Sequence, residues 1–379
     1  MENFIMHNPT ELHFGRNVLE NLGEKANNLG KKALLIYGGG SIKRNGIYNT
    51  VVSALSKNGI EFTEYPGIKP NPLVNDADAA AELGRKEKAD FILAVGGGSV
   101  IDTGKIVSVA IPQEGPAWDM IKGKTHPRKS LPLIAVLTLA ATGTEMNRFA
   151  VVQNPETREK LGFHNPLMYP VYSFLDPQFT LSVPKDYTSY GITDLTSHCL
   201  EAYFGEGHAP LSDKYVYAII REAIEIGAPL LNNLQDYELR ARMMYAATNA
   251  LNNLTSYGRR SGDWGVHSVG HILSVLYDVP HGASLSIVYP AWMKLHRNRI
   301  PERIRELGKN LFGTKTIVDT IEGFEAFFSG IGSPIRLSQL EIEKPDAGLI
   351  LETMNKNKVG GNIHKLSPED NRKLIAFFL

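Results

Sequence analysis

The stretch from residue 264 to 282 concentrates imidazoles: His267, His271 and His281 are three of the chain's 11 histidines. His267 and His271 are four apart, so on a helix both rings leave the same face. His281 stands between Pro280 and Gly282, where a chain turns and a new helix can begin. Upstream, Asp194 and His198 repeat the four-residue spacing. Imidazoles with one carboxylate make a borderline-hard donor set suited to Zn2+ or Fe2+. One such pair alone is more often two ordinary polar residues; two pairs with a further histidine beside a turn point to a divalent-metal centre. Spacing leaves open which histidines are ligands, and ranks His271 above His281.

A second kind of chemistry is written in glycines. Gly97, Gly98 and Ser99 follow the apolar run 91–95 and open an apolar helical pattern that carries Asp102 one turn in. Glycines in such a turn let the backbone approach a ligand, and free N–H groups at the helix start attract an anion such as a pyrophosphate. The plain alternative is a tight strand-to-helix turn that binds nothing. A second turn of the same type, Gly38-Gly39-Gly40-Ser41, favours the dinucleotide reading. An acidic residue at the strand end would take a ribose hydroxyl and mark NAD. Here the strand end offers glycines and a serine with Lys43 and Arg44 beyond, which favours NADP.

The elements that must hold these groups divide the chain. Strands are expected near 33–37, 61–65, 91–95 and 133–138, alternating with helices near 47–57, 77–87 and 100–110. That alternation implies a mostly parallel sheet covered on both faces. One longish loop is expected at 113–130. Beyond residue 184 helical periodicity takes over, for instance at 215–226, 237–254, 304–311 and 317–328. The expected organisation is therefore an α/β dinucleotide-binding domain, 1–184, and an all-helical metal-binding domain, 185–379, with a cleft between them as the meeting place.

Composition narrows the partners. Lys plus Arg and Asp plus Glu both number 40, so no global charge draws nucleic acid or an anionic membrane. The apolar runs are too short to span a bilayer, and the first residues carry no signal-peptide pattern. The single cysteine, Cys199, has no internal disulfide partner, which fits a reducing cytoplasm. One helical step turns it away from His198, so it reads as core.

Taken together, Phe14-Gly15, Gly97-Gly98-Ser99 with Asp102, Thr142-Gly143-Thr144-Glu145, Asp176-Pro177, the Asp194/His198 pair and His267, His271 and His281-Gly282 resemble the iron-containing (group III) alcohol dehydrogenases. The resemblance runs over nearly the whole chain and implies the fold shared with glycerol dehydrogenase and dehydroquinate synthase. Tyr37 to Ser41 resembles the NADP-dependent butanol-dehydrogenase type of aldehyde reductase. By this resemblance the metal ligands are Asp194, His198, His267 and His281, with His271 a polar neighbour of substrate and nicotinamide. It also implies cofactor contacts at Asn71, Thr138, Thr142, Asn147, Lys160 and Phe179, and an assembly that is a homodimer. On spacing alone Lys160 reads as a solvated loop lysine. The chain departs from the family's usual Gly-Thr-Gly-Ser-Glu with Ala141-Thr142-Gly143-Thr144-Glu145.

The expected reaction is hydride transfer between NADP(H) and a primary alcohol or aldehyde at an Fe2+ or Zn2+ centre. An NAD-dependent glycerol- or 1,2-propanediol-type dehydrogenase would call for an acidic residue near 38–41. A dehydroquinate-synthase-like lyase would call for a strongly cationic pocket, whereas Trp264, Val266, Val269 and Ile272 surround His267 in sequence. A metal-dependent hydrolase could use the same ligands but would leave the two glycine turns without a role, and a non-catalytic, metal-stabilised nucleotide-binding module is the remaining alternative.

Overall fold

The computed structural model describes residues 1–342 and 344–379. They pack as two units. One comprises His7–Val183 and Gln235–Met244, the other Met1–Met6, Pro184–Leu234 and Tyr245–Leu379. A single cut at 184/185 thus leaves two segments to reassign: the first six residues pack with the helices, and 235–244 pack with the sheet.

The first unit is built on strands β1 (Glu11–Phe14), β2 (Lys32–Gly38), β3 (Glu61–Ile68), β4 (Phe91–Gly96), β5 (Leu133–Leu137) and β8 (Tyr172–Leu175). They form one parallel sheet in the order β1-β8-β5-β4-β2-β3. The central strand β4 is buried along its whole length, which is why its sequence is an unbroken apolar run rather than an alternation. Helices α1 (Leu22–Asn27), α2 (Ser41–Arg44), α3 (Ile47–Lys57), α4 (Val74–Glu87), α5 (Gly98–Ala110) and α6 (Ala117–Ile121) join the strands. The short α6 falls inside the segment expected as a bare loop.

A feature the sequence reading did not place is an antiparallel hairpin, β6 (Phe149–Asn154) and β7 (Glu159–His164). Asn154 Oδ1 accepts from the Glu156 N–H at 3.0 Å, an Asx turn that closes it. Lys160 lies in β7, not in a solvated loop. Because β2 and β4 are neighbours, both glycine turns emerge side by side at the carboxyl ends of the sheet, where open parallel sheets bind ligands.

The second unit is helical: α7 (Lys185–Tyr203), α8 (Pro210–Asn232), the later part of α9 (Tyr237–Ala250), α10 (Gly265–Tyr277), α11 (His281–His296), α12 (Pro301–Phe312), α13 (Ile317–Gly330), α14 (Ala347–Lys356) and α15 (Pro368–Phe378). α7 is buried almost without interruption from Thr188 to Tyr203. It is therefore a core helix whose polar residues must find partners inside. Among the described residues, no helix is long and apolar enough to cross a membrane.

Candidate metal centre and glycine-turn site

The metal candidates come from three helices of the second unit. Asp194 and His198 lie one turn apart on buried α7, with His198 Nε2 at 3.5 Å from Asp194 Oδ1. His267 is in the first turn of α10, and its Nε2 is 3.8 Å from the same oxygen. His281 opens α11 and places its Nε2 at 3.6 Å. The glycine after it explains the approach: a Cβ on Gly282 would sit 2.2 Å from the Tyr190 carbonyl oxygen of α7.

These distances are too long for good hydrogen bonds. They suit the edges of a coordination tetrahedron, which are about 3.4 Å when donors stand about 2.1 Å from a central ion. Asp194, His267 and His281 form the tightest set, with ligand atoms all within 4.8 Å of one another. His198 joins through Asp194. Asp194 Oδ1 and His267 Nε2 are buried without a hydrogen-bond partner among the described residues. Buried orphan donors aimed at one point fit a divalent cation. His271, ranked above His281 on spacing, stands outside this set, with its ring 5.5 Å from that of His281.

Burial pushes the His198 imidazole down to about 4, which keeps it neutral and able to ligate. Burial also lowers His267, but the Asp194 and Glu201 carboxylates outweigh it and raise the ring to about 9. A cation entering the site thus competes with a proton on His267. Glu201, which the sequence reading passed over, is a buried carboxylate whose Oε1 lies 2.8 Å from His267 Nδ1. The only sequence signal was its position one helical turn beyond His198.

In the other unit the glycine turn works through backbone. α5 begins at Gly98, and the Val100 and Ile101 N–H groups bond back to the Gly97 carbonyl. The N–H groups of the first turn before them have no intrahelical acceptor. A Cβ on Gly98 would meet Thr142 Cγ2 at 2.7 Å, so that turn fits closely against the Thr142 loop. The Thr138 N–H bonds the Gly96 carbonyl at 3.0 Å, tying the same loop to β4. At the other turn, Gly40 is left-handed (φ 97°) and Ser41 starts α2, while Gly39 has open space where a Cβ would be.

Two expected contacts are also held by internal hydrogen bonds. Both Asp102 oxygens are engaged internally, by the Thr144 hydroxyl at 2.6 Å and the Val151 N–H at 2.8 Å. Asn147 is fully buried; its amide donates to the Gly143 carbonyl and accepts from Lys105 and the Phe149 N–H. Asp102 turns inward because α5 is covered all round, so polar groups on it must pair inside. Lys105, unmentioned by any motif, is the hub. Its ammonium donates to Thr144 Oγ1, Asn147 Oδ1 and the Phe149 carbonyl at 2.7, 3.0 and 2.7 Å. Lys160 is buried and bonds Asn71 Oδ1 at 2.8 Å, which brings two expected contacts together. Phe179 lines a cavity of about 700 Å³ with Asn45, Ile47, Asp176 and Ser182. That cavity lies beyond the ends of β1 and β8 and does not include the 97–99 turn.

A cage of nitrogen and oxygen donors in a helical unit, and a parallel sheet with paired glycine turns, are the parts of a metal-dependent, dinucleotide-using enzyme. Residues 9–177 match the iron-containing alcohol dehydrogenase model, and residues 188–376 match its companion for the C-terminal part of the Fe-containing alcohol dehydrogenase family. The chain is 40% identical to the probable NADH-dependent butanol dehydrogenase 1 of Bacillus subtilis, with 98% of each chain covered. It is 31% identical to the NADPH-dependent aldehyde reductase YqhD of Escherichia coli, with 99% of each covered. The crystal structure of the NADH-dependent butanol dehydrogenase A of Thermotoga maritima superposes with a TM-score of 0.96 at 40% identity, covering 100% of this chain and 99% of that one. The chain belongs to the iron-containing alcohol dehydrogenase family.

Proposed function

We propose that this enzyme reduces short aliphatic aldehydes to primary alcohols, and runs the reverse oxidation, with butanal and butanol as representative substrates and NADPH as the preferred reductant. In the reductive direction aldehyde, NADPH and one proton give alcohol and NADP+. The observation that carries the reading is the buried Asp194 oxygen facing the Nε2 atoms of His198, His267 and His281. When bound, a divalent metal supplies a Lewis acid for the carbonyl oxygen, and the nicotinamide supplies the hydride.

This chain's own residues do the rest. Asp194 and the three imidazoles hold the cation with a net positive charge, because the histidines bind as neutral ligands. The first-turn N–H groups of α5 receive the cofactor's phosphates. His271, one helical turn past His267, is the group placed to pass the alcohol proton to solvent.

Mixing the metal-loaded protein with NADPH and butanal tests this directly. Loss of the reduced-nicotinamide absorbance is expected. No loss with any of a series of aldehydes from two to eight carbons would sink the proposal.

A second reading takes NADH as the reductant, and the names of the Bacillus and Thermotoga relatives favour it. For NADPH speaks the absence of a carboxylate along residues 38–41 and the arginine, Arg44, beyond it. The assembly is proposed to be a cytoplasmic homodimer. β1 is an edge strand of its sheet, and Ile5 and Met6 are 89% and 65% exposed. Light scattering should return twice the chain mass.

A further inference from the structure

Glu201 sits three residues after His198 on α7 and is 1% exposed. A carboxylate so deeply buried is costly unless its oxygens are satisfied. Its partners are two backbone N–H groups and one imidazole. One oxygen accepts from the Trp264 N–H. The other accepts from the His267 N–H at 3.0 Å and lies 2.8 Å from His267 Nδ1.

We propose that Glu201 is a positioning residue that makes His267 a metal ligand, holding its ring and the start of α10 through a single carboxylate. The inference rests on the reading of His267 as a ligand. A carboxylate accepts and does not donate, so His267 must carry its proton on Nδ1 when the site is filled. That tautomer leaves the Nε2 lone pair free, and Nε2 is the atom facing Asp194 Oδ1. The same carboxylate receives the Trp264 N–H, whose residue takes a left-handed backbone (φ 64°) unusual for a bulky side chain. The negative charge also lies at the positive end of the α10 dipole. Ring orientation and tautomer are therefore set by one group, which shares the helix start with Asp263, the acceptor of the Gly265 N–H. His198 has no counterpart, since its Nδ1 has no hydrogen-bond partner among the described residues. Orienting carboxylates of this kind change metal affinity when they are removed.

The test is a metal titration, not an assay of turnover. Metal-free wild type, Glu201→Gln, His267→Ala and the double variant are titrated with Zn2+ against a chromophoric chelator. Glu201→Gln is expected to weaken binding about 10- to 100-fold. In the His267→Ala background the same change is expected to add nothing, because Glu201 acts through that ring. Wild-type affinity in Glu201→Gln, or an equal loss in both backgrounds, overturns the proposal and leaves Glu201 as a brace of α10 alone. Absence of Zn2+ binding in the wild type instead removes the metal reading itself. A measurement on the unmutated chain covers the case where Glu201→Gln fails to fold. In nitrogen-15-histidine-labelled, zinc-loaded protein, the His267 resonances should report a protonated Nδ1 and a coordinated Nε2. The opposite assignment refutes the proposal.

Discussion

The metal cage and the glycine turn solve opposite problems. In the helical unit, side chains from α7, α10 and α11 converge and leave polar atoms unsatisfied: Asp194 Oδ1 and His267 Nε2 are buried without partners among the described residues. In the sheet unit, the polar side chains behind the turn are already engaged. Asp102, Thr144, Asn147 and Lys105 are linked by hydrogen bonds to one another. A cation site needs donors held in waiting. An anion site at a helix start needs only N–H groups and room, so its side chains can serve as internal struts.

The difference is broken most severely at the cage. Asp194→Ala removes the oxygen that all three imidazoles face. Metal content should fall to background and turnover by about 1000-fold or more, the scale of a lost metal Lewis acid. Elemental analysis and kcat on the same preparation check it. Full metal content would mean that the four groups do not share an ion.

At the struts the expectation reverses, with stability suffering before chemistry. Lys105→Met keeps the bulk but leaves Asp102 buried without its neighbouring cation and three acceptors without a donor. A loss of about 3–5 kcal/mol is expected in denaturant unfolding. Surviving folded protein should show a raised KM for NADPH with kcat little changed. Unaltered stability would show that the turn is not held from inside.

Much of this contrast was legible in the sequence, and the exceptions have physical causes. The Asp194/His198 and His267/His271 pairs are visible because helical spacing puts them on one face. His281 is visible as a histidine where a new helix can begin, but its place beside the others depends on Gly282 clearing the Tyr190 carbonyl, a contact between residues far apart in the chain. The family resemblance supplied what spacing withheld. The glycine turn carried Asp102 into view, and nothing local indicated that α5 would be enclosed on every side, turning Asp102 and Lys105 inward. The β6–β7 hairpin escaped because Phe149–Asn154 is a short alternation, easily read as loop beside a threonine- and glycine-rich turn.

A gentler probe of the cage is pH. The raised value of His267 means that its proton must leave before the ring can ligate. Metal affinity should therefore weaken as pH falls below about 9, by up to tenfold per unit while that single proton is displaced. In the metal-free protein the sign is opposite. The protonated ring contributes stability that is fully present below its unfolded value near 6.5 and is lost as pH rises through about 9. Thermal unfolding of the two forms across that range separates the effects. A flat metal-free profile would remove His267 from the argument.

The smallest expected effect sharpens the other side. If the glycine turns bind through backbone, side chains there should set only which dinucleotide is preferred. Lys43 is already spent: its ammonium is 3.4 Å from Glu64 and lies over the Tyr37 and Tyr48 rings. Arg44 is the remaining cation, its guanidinium 3.8 Å from where a Cβ on Gly40 would stand. One exposed charge-assisted contact to a 2′-phosphate is worth about tenfold. kcat/KM for NADPH should therefore exceed that for NADH by about that factor, and Arg44→Ala should bring the ratio near one without touching metal content. A preference for NADH in the wild type would mean that the serine and glycines ending β2 do not select a phosphate, and that the basic pair beyond them is ordinary solvated surface.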